Sequence, residues 1–333
     1  MVRTLKWGIM GTAGIAEGAF IPAVKNSERG AVWAVASRNT DKAREMAERT
    51  GAARYYGSYE ELLEDSEIDA VYIPLPNHLH KEWTIRAARA GKHVLCEKPA
   101  ALDAEETAAM LQACTENGVW FAEAFMYRHG QKHRRVQEII KSGEIGELRS
   151  MRGVFNYCTP EDTGNVRFDR SMGGGSIYDI GVYPISAARM IMGSEPLWAS
   201  AHAFFSPDHD DVDMAASGML AFAGGVGLSF ECGMWSYNRS YFEVTGTKGR
   251  IEMPYMFDWR GNPQIIVDTN RERREEKMPC VDHYMLQADA FARAVFGEEP
   301  LLFPPDDALR NMRAIDACLK SAREGCRVDI PHT

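Results

Sequence analysis

Lys6-Trp7-Gly8-Ile9-Met10-Gly11-Thr12-Ala13-Gly14-Ile15-Ala16 reads as a strand, a glycine turn and the start of a helix. From Gly11 it spells G-x-A-x-x-A, a variant of the dinucleotide fingerprint with alanine at the middle position. Such a turn lets backbone N–H groups approach a pyrophosphate at a helix N-terminus. Ala13 still permits a close approach, with a methyl group added. Gly11, Thr12, Ala13 and Ile15 are therefore expected around a dinucleotide. Glycine turns between strand and helix are common, so this reading depends on the pattern that follows.

Downstream, short apolar runs alternate with charged amphipathic segments. The runs are Leu5–Met10, Val32–Ser37, Ala70–Ile73, His93–Cys96 and Trp120–Ala122; between them lie Asp41–Thr50, Glu82–Ala90 and Ala104–Asn117. Near-continuous apolar strands separated by helices are what a parallel sheet covered on both faces requires, and right-handed crossovers then give a doubly wound α/β domain. After residue 122 the pattern changes to longer strands: Glu147–Cys158, Ala199–Ser206, Ala215–Ala223, Val226–Gly233, Tyr241–Thr245, Arg250–Pro254 and Gln264–Asp268. Gly224-Gly225 and Lys248-Gly249 are hairpin signals between such runs. Asp306–Arg323 follows Pro304-Pro305 and carries helical apolar spacing at Leu309, Met312, Ile315 and Leu319. The sequence thus predicts two domains, 1–122 and 123–333, the second an α+β domain with a large, mostly antiparallel sheet. The stretch 270–277 reads as a solvated loop or the end of an edge strand.

Bulk composition excludes several classes. The chain has 333 residues, 45% hydrophobic and 26% charged, which is the globular average. A formal charge of −9 argues against a general nucleic-acid binder. No apolar run reaches the length of a membrane span, and a strand begins by Leu5, so neither a membrane partner nor a secretory leader is expected. The 7 cysteines (Cys96, Cys114, Cys158, Cys232, Cys280, Cys318 and Cys326) are scattered and form no CxxC pair. That pattern points to a reduced, cytoplasmic protein.

The end of the second strand speaks to the dinucleotide. An NAD site usually places Asp or Glu there to hold the ribose 2′-OH. Here Ala36-Ser37-Arg38 ends the strand and Lys42 lies one helical turn beyond. A hydroxyl and a guanidinium suit a 2′-phosphate, so NADP is favoured with NAD possible. The bland alternative is that Arg38 is a solvated loop residue.

Val94-Leu95-Cys96-Glu97-Lys98-Pro99 puts a charged pair at the carboxyl end of a buried strand, the edge where ligands sit in open α/β sheets. A structural lysine there would more usually point to solvent. Ile73-Pro74-Leu75-Pro76-Asn77-His78-Leu79-His80 ends the preceding strand. Its His-x-His spacing lacks a carboxylate or cysteine cluster, so no metal is expected and a histidine lining a cofactor cleft fits better. Cys96 reads as a buried strand residue. In the second half, Gly173-Gly174-Gly175-Ser176-Ile177-Tyr178-Asp179-Ile180-Gly181-Val182-Tyr183 leads from a glycine loop into a helix. Asp179 and Tyr183 are four apart, hence on one face, and are unusual on a helix otherwise rich in Ile, Val and Met.

GTAGIA, LPNHLH, EKP (97–99) and EAFMYR (123–128), in this order and spacing, are similar to the family of glucose–fructose oxidoreductase, inositol dehydrogenase and MocA-type proteins. The resemblance covers essentially the whole chain. It implies an N-terminal Rossmann domain, a C-terminal open-faced sheet and a nicotinamide cofactor. It also implies that Lys98 lies beside the nicotinamide and contacts the substrate oxygen, with Leu75, Pro76, Asn77, His80 and Glu97 counted among the cofactor residues. The family places its acid/base in G-G-G-x-x-x-D-x-G-x-(His or Tyr), which here ends in Tyr183. Tyrosine resembles the glucose–fructose oxidoreductase, sugar dehydrogenase and dihydrodiol dehydrogenase branches rather than inositol dehydrogenase, and Asn165 and Arg167 resemble the sugar-oxidising branch.

The chemistry is consistent with this. A free tyrosine, pKa about 10, is a poor base at neutral pH, and a nearby Lys98 ammonium would favour its phenolate. Asp179 would position substrate or balance the lysine's charge. Arg128 and Arg167 are further substrate candidates, although Arg128–Arg135 as a whole reads as a helix's solvated face. The expected function is an NADP-favouring oxidoreductase acting on a carbinol of a sugar, polyol or dihydrodiol. The alternatives are an NAD-dependent glycosidase and a non-catalytic ligand sensor. A homodimer or homotetramer is expected through the sheet, with Trp235, Tyr237, Tyr241 and Phe242 at the interface and Phe222 and Phe230 in the core.

Overall fold

The apolar runs of the first half become strands because residues such as Val35, Val71, Leu95 and Phe121 are shielded on both sides and buried. The computed structural model describes residues 3–159, 164–258 and 264–332. In it β1 (Leu5–Met10), β2 (Gly30–Ala36), β3 (Arg54–Tyr56), β4 (Ala70–Ile73), β5 (His93–Glu97) and β6 (Phe121–Ala124) pair in parallel, in the order β3-β2-β1-β4-β5-β6. The order reverses at β1, so the carboxyl ends of β1 and β4 open a crevice there.

Helices α1 (Ile21–Asn26), α2 (Thr40–Thr50), α3 (Tyr59–Glu64), α4 (His80–Arg89) and α5 (Ala104–Glu116) make the crossovers. Local chemistry starts several of them: Asn39, Ser58 and Asp103 each accept a backbone N–H three residues on. The very short β3 and α3 were too brief to show as periodic segments.

The second half builds β7 (Leu148–Cys158), β8 (Trp198–Ser206), β9 (Val212–Ala221), β10 (Gly227–Gly233), β11 (Trp235–Gly246), β12 (Gly249–Pro254), β13 (Gln264–Thr269), β14 (Arg273–Lys277) and β15 (Val328–Asp329). Their order is β14-β13-β12-β11-β7-β10-β9-β8-β15, antiparallel throughout except for the parallel β7–β10 pair. The stretch 270–277 therefore ends in the edge strand β14. Both hairpin signals hold: Gly224 and Gly225 have φ of +75° and +77° between β9 and β10, and β11 returns into β12 at Lys248-Gly249.

One face of this sheet is covered. Along β10, Leu228, Phe230 and Cys232 are buried while Ser229 and Glu231 are exposed. Helix α7 (Val182–Met192) packs on that covered face, and α6 (Gln131–Ser142) packs on α7. Phe222 and Phe230 are core residues, as expected. Phe242 is also fully buried, against Phe257, because the strand's alternation turns it inward while Tyr241 faces out. The reading of Arg128–Arg135 as a solvated face also needs correction. Lys132 and His133 are buried, and the Lys132 ammonium donates to the carbonyls of Pro254 and Tyr255.

The chain divides into two compact units. One is the chain through His129 together with Asp282–Leu309; the other is Gly130–Val281 with Arg310 onward. This differs from a cut at residue 122, since a segment after the sheet domain folds back into the first unit. There α8 (His283–Val295) lies against α1, with Phe291 set 5.4 Å from the Trp7 ring. The boundary itself falls within α9 (Asp306–Glu324).

Candidate active site

In the first unit the glycine turn shapes a cleft. Gly11 adopts φ +105°, and a Cβ there would stand 3.0 Å from Leu75 Cδ2 and 3.7 Å from Tyr59 Oη. Its N–H is held by Ala36 O at 2.8 Å. The cleft measures about 540 Å³, within the range of small-molecule sites. Gly11, Thr12, Ala13, Ser37, Arg38, Lys42, Leu75 and Pro76, all among the residues expected around a dinucleotide, line it together. Asn39 and Tyr59 line it too and were not anticipated.

The lining carries two charged side chains, Arg38 and Lys42, and no carboxylate. Ser37 Oγ accepts the Asn39 N–H at 3.2 Å and Asn39 Oδ1 accepts that of Lys42 at 3.1 Å, so one capping turn starts α2 beside Arg38. A helix N-terminus with a guanidinium and an ammonium fits a further phosphate on the ribose. Burial pushes the Tyr59 phenol upward against the neighbouring Arg38, so it stays protonated. Ile15 is 37% exposed and lies off the cleft wall. Asn77 opens the 3₁₀ turn Asn77–Leu79 just beyond Pro76.

Lys98 follows β5 on a segment that turns inward at once: Pro99 and Ala100 are buried, and the Lys98–Pro99 peptide is cis. Glu97 accepts the Tyr72 hydroxyl at 2.5 Å, and Tyr72 stacks on Phe20 at 3.9 Å. Glu123 Oε1 accepts the Ala100 N–H at 3.0 Å. His80 does not reach the cleft. It is fully buried, with Nδ1 2.9 Å from Pro99 O and Nε2 2.8 Å from Leu75 O. Burial, opposed by these carbonyls, pushes its pKa down to about 4, so the ring is neutral at pH 7 and donates through one nitrogen. Cys96 is buried and its thiol is pushed well up, as a structural cysteine should be.

Arg128 is also placed differently from expectation. It is 3% exposed, pairs with Asp307 at 2.6 Å, and lies over the rings of Phe125 and Phe303. Burial opposes its charge but Asp307 outweighs it, so the guanidinium serves the first unit's interior rather than an open substrate surface.

In the second unit two glycines of the triplet are sterically required. A Cβ on Gly174 would sit 2.5 Å from Arg167 O, and one on Gly175 2.1 Å from Asp213 Oδ1. Asp213 Oδ2 accepts both Ser176 Oγ and the Ile177 N–H at 2.7 Å, which anchors the wide π turn Ile177–Gly181 ahead of α7. Asp179, on this turn, accepts the Tyr157 hydroxyl and Arg167 Nε, the latter at 3.0 Å. Asn165 Oδ1 accepts the Arg167 N–H at 3.1 Å and so sets the turn that aims Arg167. Burial, reinforced by Asp179, pushes the Tyr157 phenol up and keeps it a donor. Tyr183 is 7% exposed, its ring 5.2 Å from Phe155 and 5.5 Å from Phe257.

Tyr157 and Asp213 escaped the sequence reading. Tyr157 is one aromatic among many on a strand. Asp213 sits in an acidic run, and only a β-bulge turns it inward: Phe205 pairs with Asp213 after Phe204 pairs with Ala215. Among the described residues no cluster of His, Cys, Asp and Glu could hold a metal ion.

Comparison with known proteins places these features. Residues 5–125 match "Oxidoreductase family, NAD-binding Rossmann fold" and residues 133–252 match "GFO/IDH/MocA C-terminal domain". An uncharacterized oxidoreductase of Rhizobium meliloti is 39% identical, covering 96% of this chain and 98% of that protein. D-xylose 1-dehydrogenase (NADP(+)) 2 of Haloferax volcanii is 37% identical over 98% of this chain and 100% of its own. A 3-ketoreductase from Actinomadura kijaniata, solved with NADP and TDP-benzene, superposes with a TM-score of 0.90 at 33% identity, covering 96% of this chain and 98% of that one. Variants of one lysine and one tyrosine of that reductase have also been solved. With both halves matched and relatives similar along nearly the full length, this chain belongs to the GFO/IDH/MocA oxidoreductase family, built from its NAD-binding Rossmann domain and its C-terminal domain.

Proposed function

We propose that this protein is an NADP-preferring sugar dehydrogenase or ketoreductase, with Tyr183 as acid/base and Lys98 as its partner at one carbinol carbon. The observation that carries the coenzyme reading is the cleft of Ser37, Arg38, Asn39 and Lys42, which offers cations and donors and no carboxylate. The names of the xylose dehydrogenase and the ketoreductase, both with NADP, support it. We infer that Lys98 and Tyr183 are the counterparts of the lysine and tyrosine varied in that ketoreductase.

When bound, the nicotinamide supplies or accepts the hydride. This chain's residues handle the oxygen and its proton. The Lys98 ammonium donates to the reacting oxygen, which favours its charge as the proton leaves. Tyr183 takes that proton in oxidation and returns it in reduction. Asp179, already the acceptor for Arg167 and Tyr157, orients substrate hydroxyls rather than serving as the base. We also propose that the chain forms a homo-oligomer through the open sheet face, where Phe204 stacks on Trp235 at 4.9 Å and both are 47% exposed.

A panel of aldoses, polyols, dihydrodiols and keto-sugars, followed by nicotinamide absorbance with NADP and NAD separately, tests this reading. Turnover of a sugar carbinol with NADP preferred is the expected result. Binding of neither coenzyme, or preference for NAD with every substrate, would overturn it.

A further inference from the structure

The segment that carries Lys98 is irregular, yet two side chains grip it, the fully buried His80 and the half-buried Glu123. His80, at the start of α4, meets Pro99 O on one side. Glu123, on β6, accepts the Ala100 N–H on the other. The other ring nitrogen lies 2.8 Å from the carbonyl of Leu75, which lines the nucleotide cleft; the neutral ring donates to one of these two carbonyls and packs against the other. His80 and Glu123 are themselves absent from the cleft lining.

These are costly residues for interior positions. Burying an imidazole, and withdrawing much of a carboxylate from water, is unfavourable unless their hydrogen bonds define something that an apolar side chain would not. What they define is the backbone on either side of Pro99, one and two residues beyond Lys98. We propose that His80 and Glu123 are positioning residues for Lys98, fixing its ammonium relative to the nucleotide cleft. The proposal rests on the reading of Lys98 as catalytic. A small misplacement of such a group is enough to lower turnover about 100-fold.

The test uses the reactivity of Lys98 itself, which needs no known substrate. The full-length protein is acetylated competitively with trace acetic anhydride across a pH series. Lys98 labelling is then read by peptide mass spectrometry against the exposed Lys141 and Lys320. His80→Phe and Glu123→Met, which fill space without the bonds, should change Lys98 labelling about tenfold and leave the two reference lysines unchanged. Glu123→Gln keeps an acyl oxygen for the Ala100 N–H and should stay within about twofold of wild type.

On any substrate turned over, His80→Phe and Glu123→Met should lower kcat about 100-fold while NADP affinity stays within about threefold. Unchanged Lys98 labelling in both variants would overturn the proposal. So would a loss of labelling control that tracks thermal melting and that Glu123→Gln fails to rescue. If Lys98→Met keeps wild-type turnover, the catalytic reading fails; altered labelling would still show that the bracing exists.

Discussion

Lys98 and the Asp179–Tyr183 turn are both held by polar side chains, buried at His80 and Asp213 and half-buried at Glu123, but the two regions solve the problem differently. In the first unit the supports come from neighbouring parallel strands: His80 follows β4, and Glu123 stands on β6, which pairs with β5. In the second, Asp213 reaches the turn only because β9 bulges, and it lies 37 residues from the Ser176 that it holds. Burial then acts in opposite directions on the two supports. It disfavours the charged form of each, lowering the pKa of a base to about 4 at His80 and raising that of an acid to about 6 at Asp213. Similar packing therefore gives the two units opposite responses to acid.

The sharpest way to break this comparison is to remove the two groups proposed to react. Lys98→Met and Tyr183→Phe should each lower kcat about 10²- to 10⁴-fold with NADP affinity nearly unchanged, measured by steady-state kinetics and fluorescence titration. Wild-type turnover in either variant would mean that one region is structural only.

Stability against pH is the next largest effect. His80 is depressed from 6.5 to about 4, so the unfolded chain binds more protons between these values. Its contribution is complete above pH 6.5 and is lost as pH falls toward 4. Asp213 is raised from 3.8 to about 6, so the folded chain holds the extra proton. Its contribution is complete below pH 3.8 and is lost as pH rises through about 6. Each effect is of order 3 kcal/mol. Relative to wild type, His80→Phe should gain stability as pH falls and Asp213→Asn should gain as pH rises. Denaturant titrations from pH 4 to 7 would show slopes of the same sign if the comparison is wrong.

A smaller effect separates the coenzymes. Arg38→Ala should weaken NADP by about 2 kcal/mol and leave NAD within about twofold if, as proposed, the guanidinium meets the coenzyme at its 2′-phosphate. Equal losses for both coenzymes would make Arg38 a general electrostatic residue. Least is expected from Trp235→Glu with Phe204→Glu. These face solvent and should change melting by little, yet should reduce the molecular mass measured by light scattering. An unchanged mass would move the oligomer interface elsewhere.

Legibility followed the same division. The six parallel strands were readable except β3, because burial on both faces writes continuous apolar runs into the chain. The cleft residues Gly11–Ala13, Ser37, Arg38 and Lys42 were readable because a turn, a strand end and a helix cap are local events. His80 was visible as a residue of note but its role was not: sequence spacing says that it starts a helix, not that its ring turns inward to two carbonyls. Arg128, Lys132 and His133 looked solvated because a run of charge usually is, and their burial depends on Asp307 and the carbonyls of Pro254 and Tyr255 far along the chain. Tyr157 and Asp213 left no local trace.

By itself, then, the sequence determined the doubly wound sheet, the largely antiparallel sheet after it, the nucleotide turn and the residue types available for hydride chemistry. These follow from periodicity and from turns whose energetics are settled within a few residues. Tertiary structure alone decided that 282–309 belongs with the first unit, that Arg128 is committed to Asp307, and that His80, Glu123 and Asp213 hold the functional segments. A buried polar side chain is stable only where its partner stands, and no local pattern says which distant strand or turn will bring that partner within hydrogen-bonding distance.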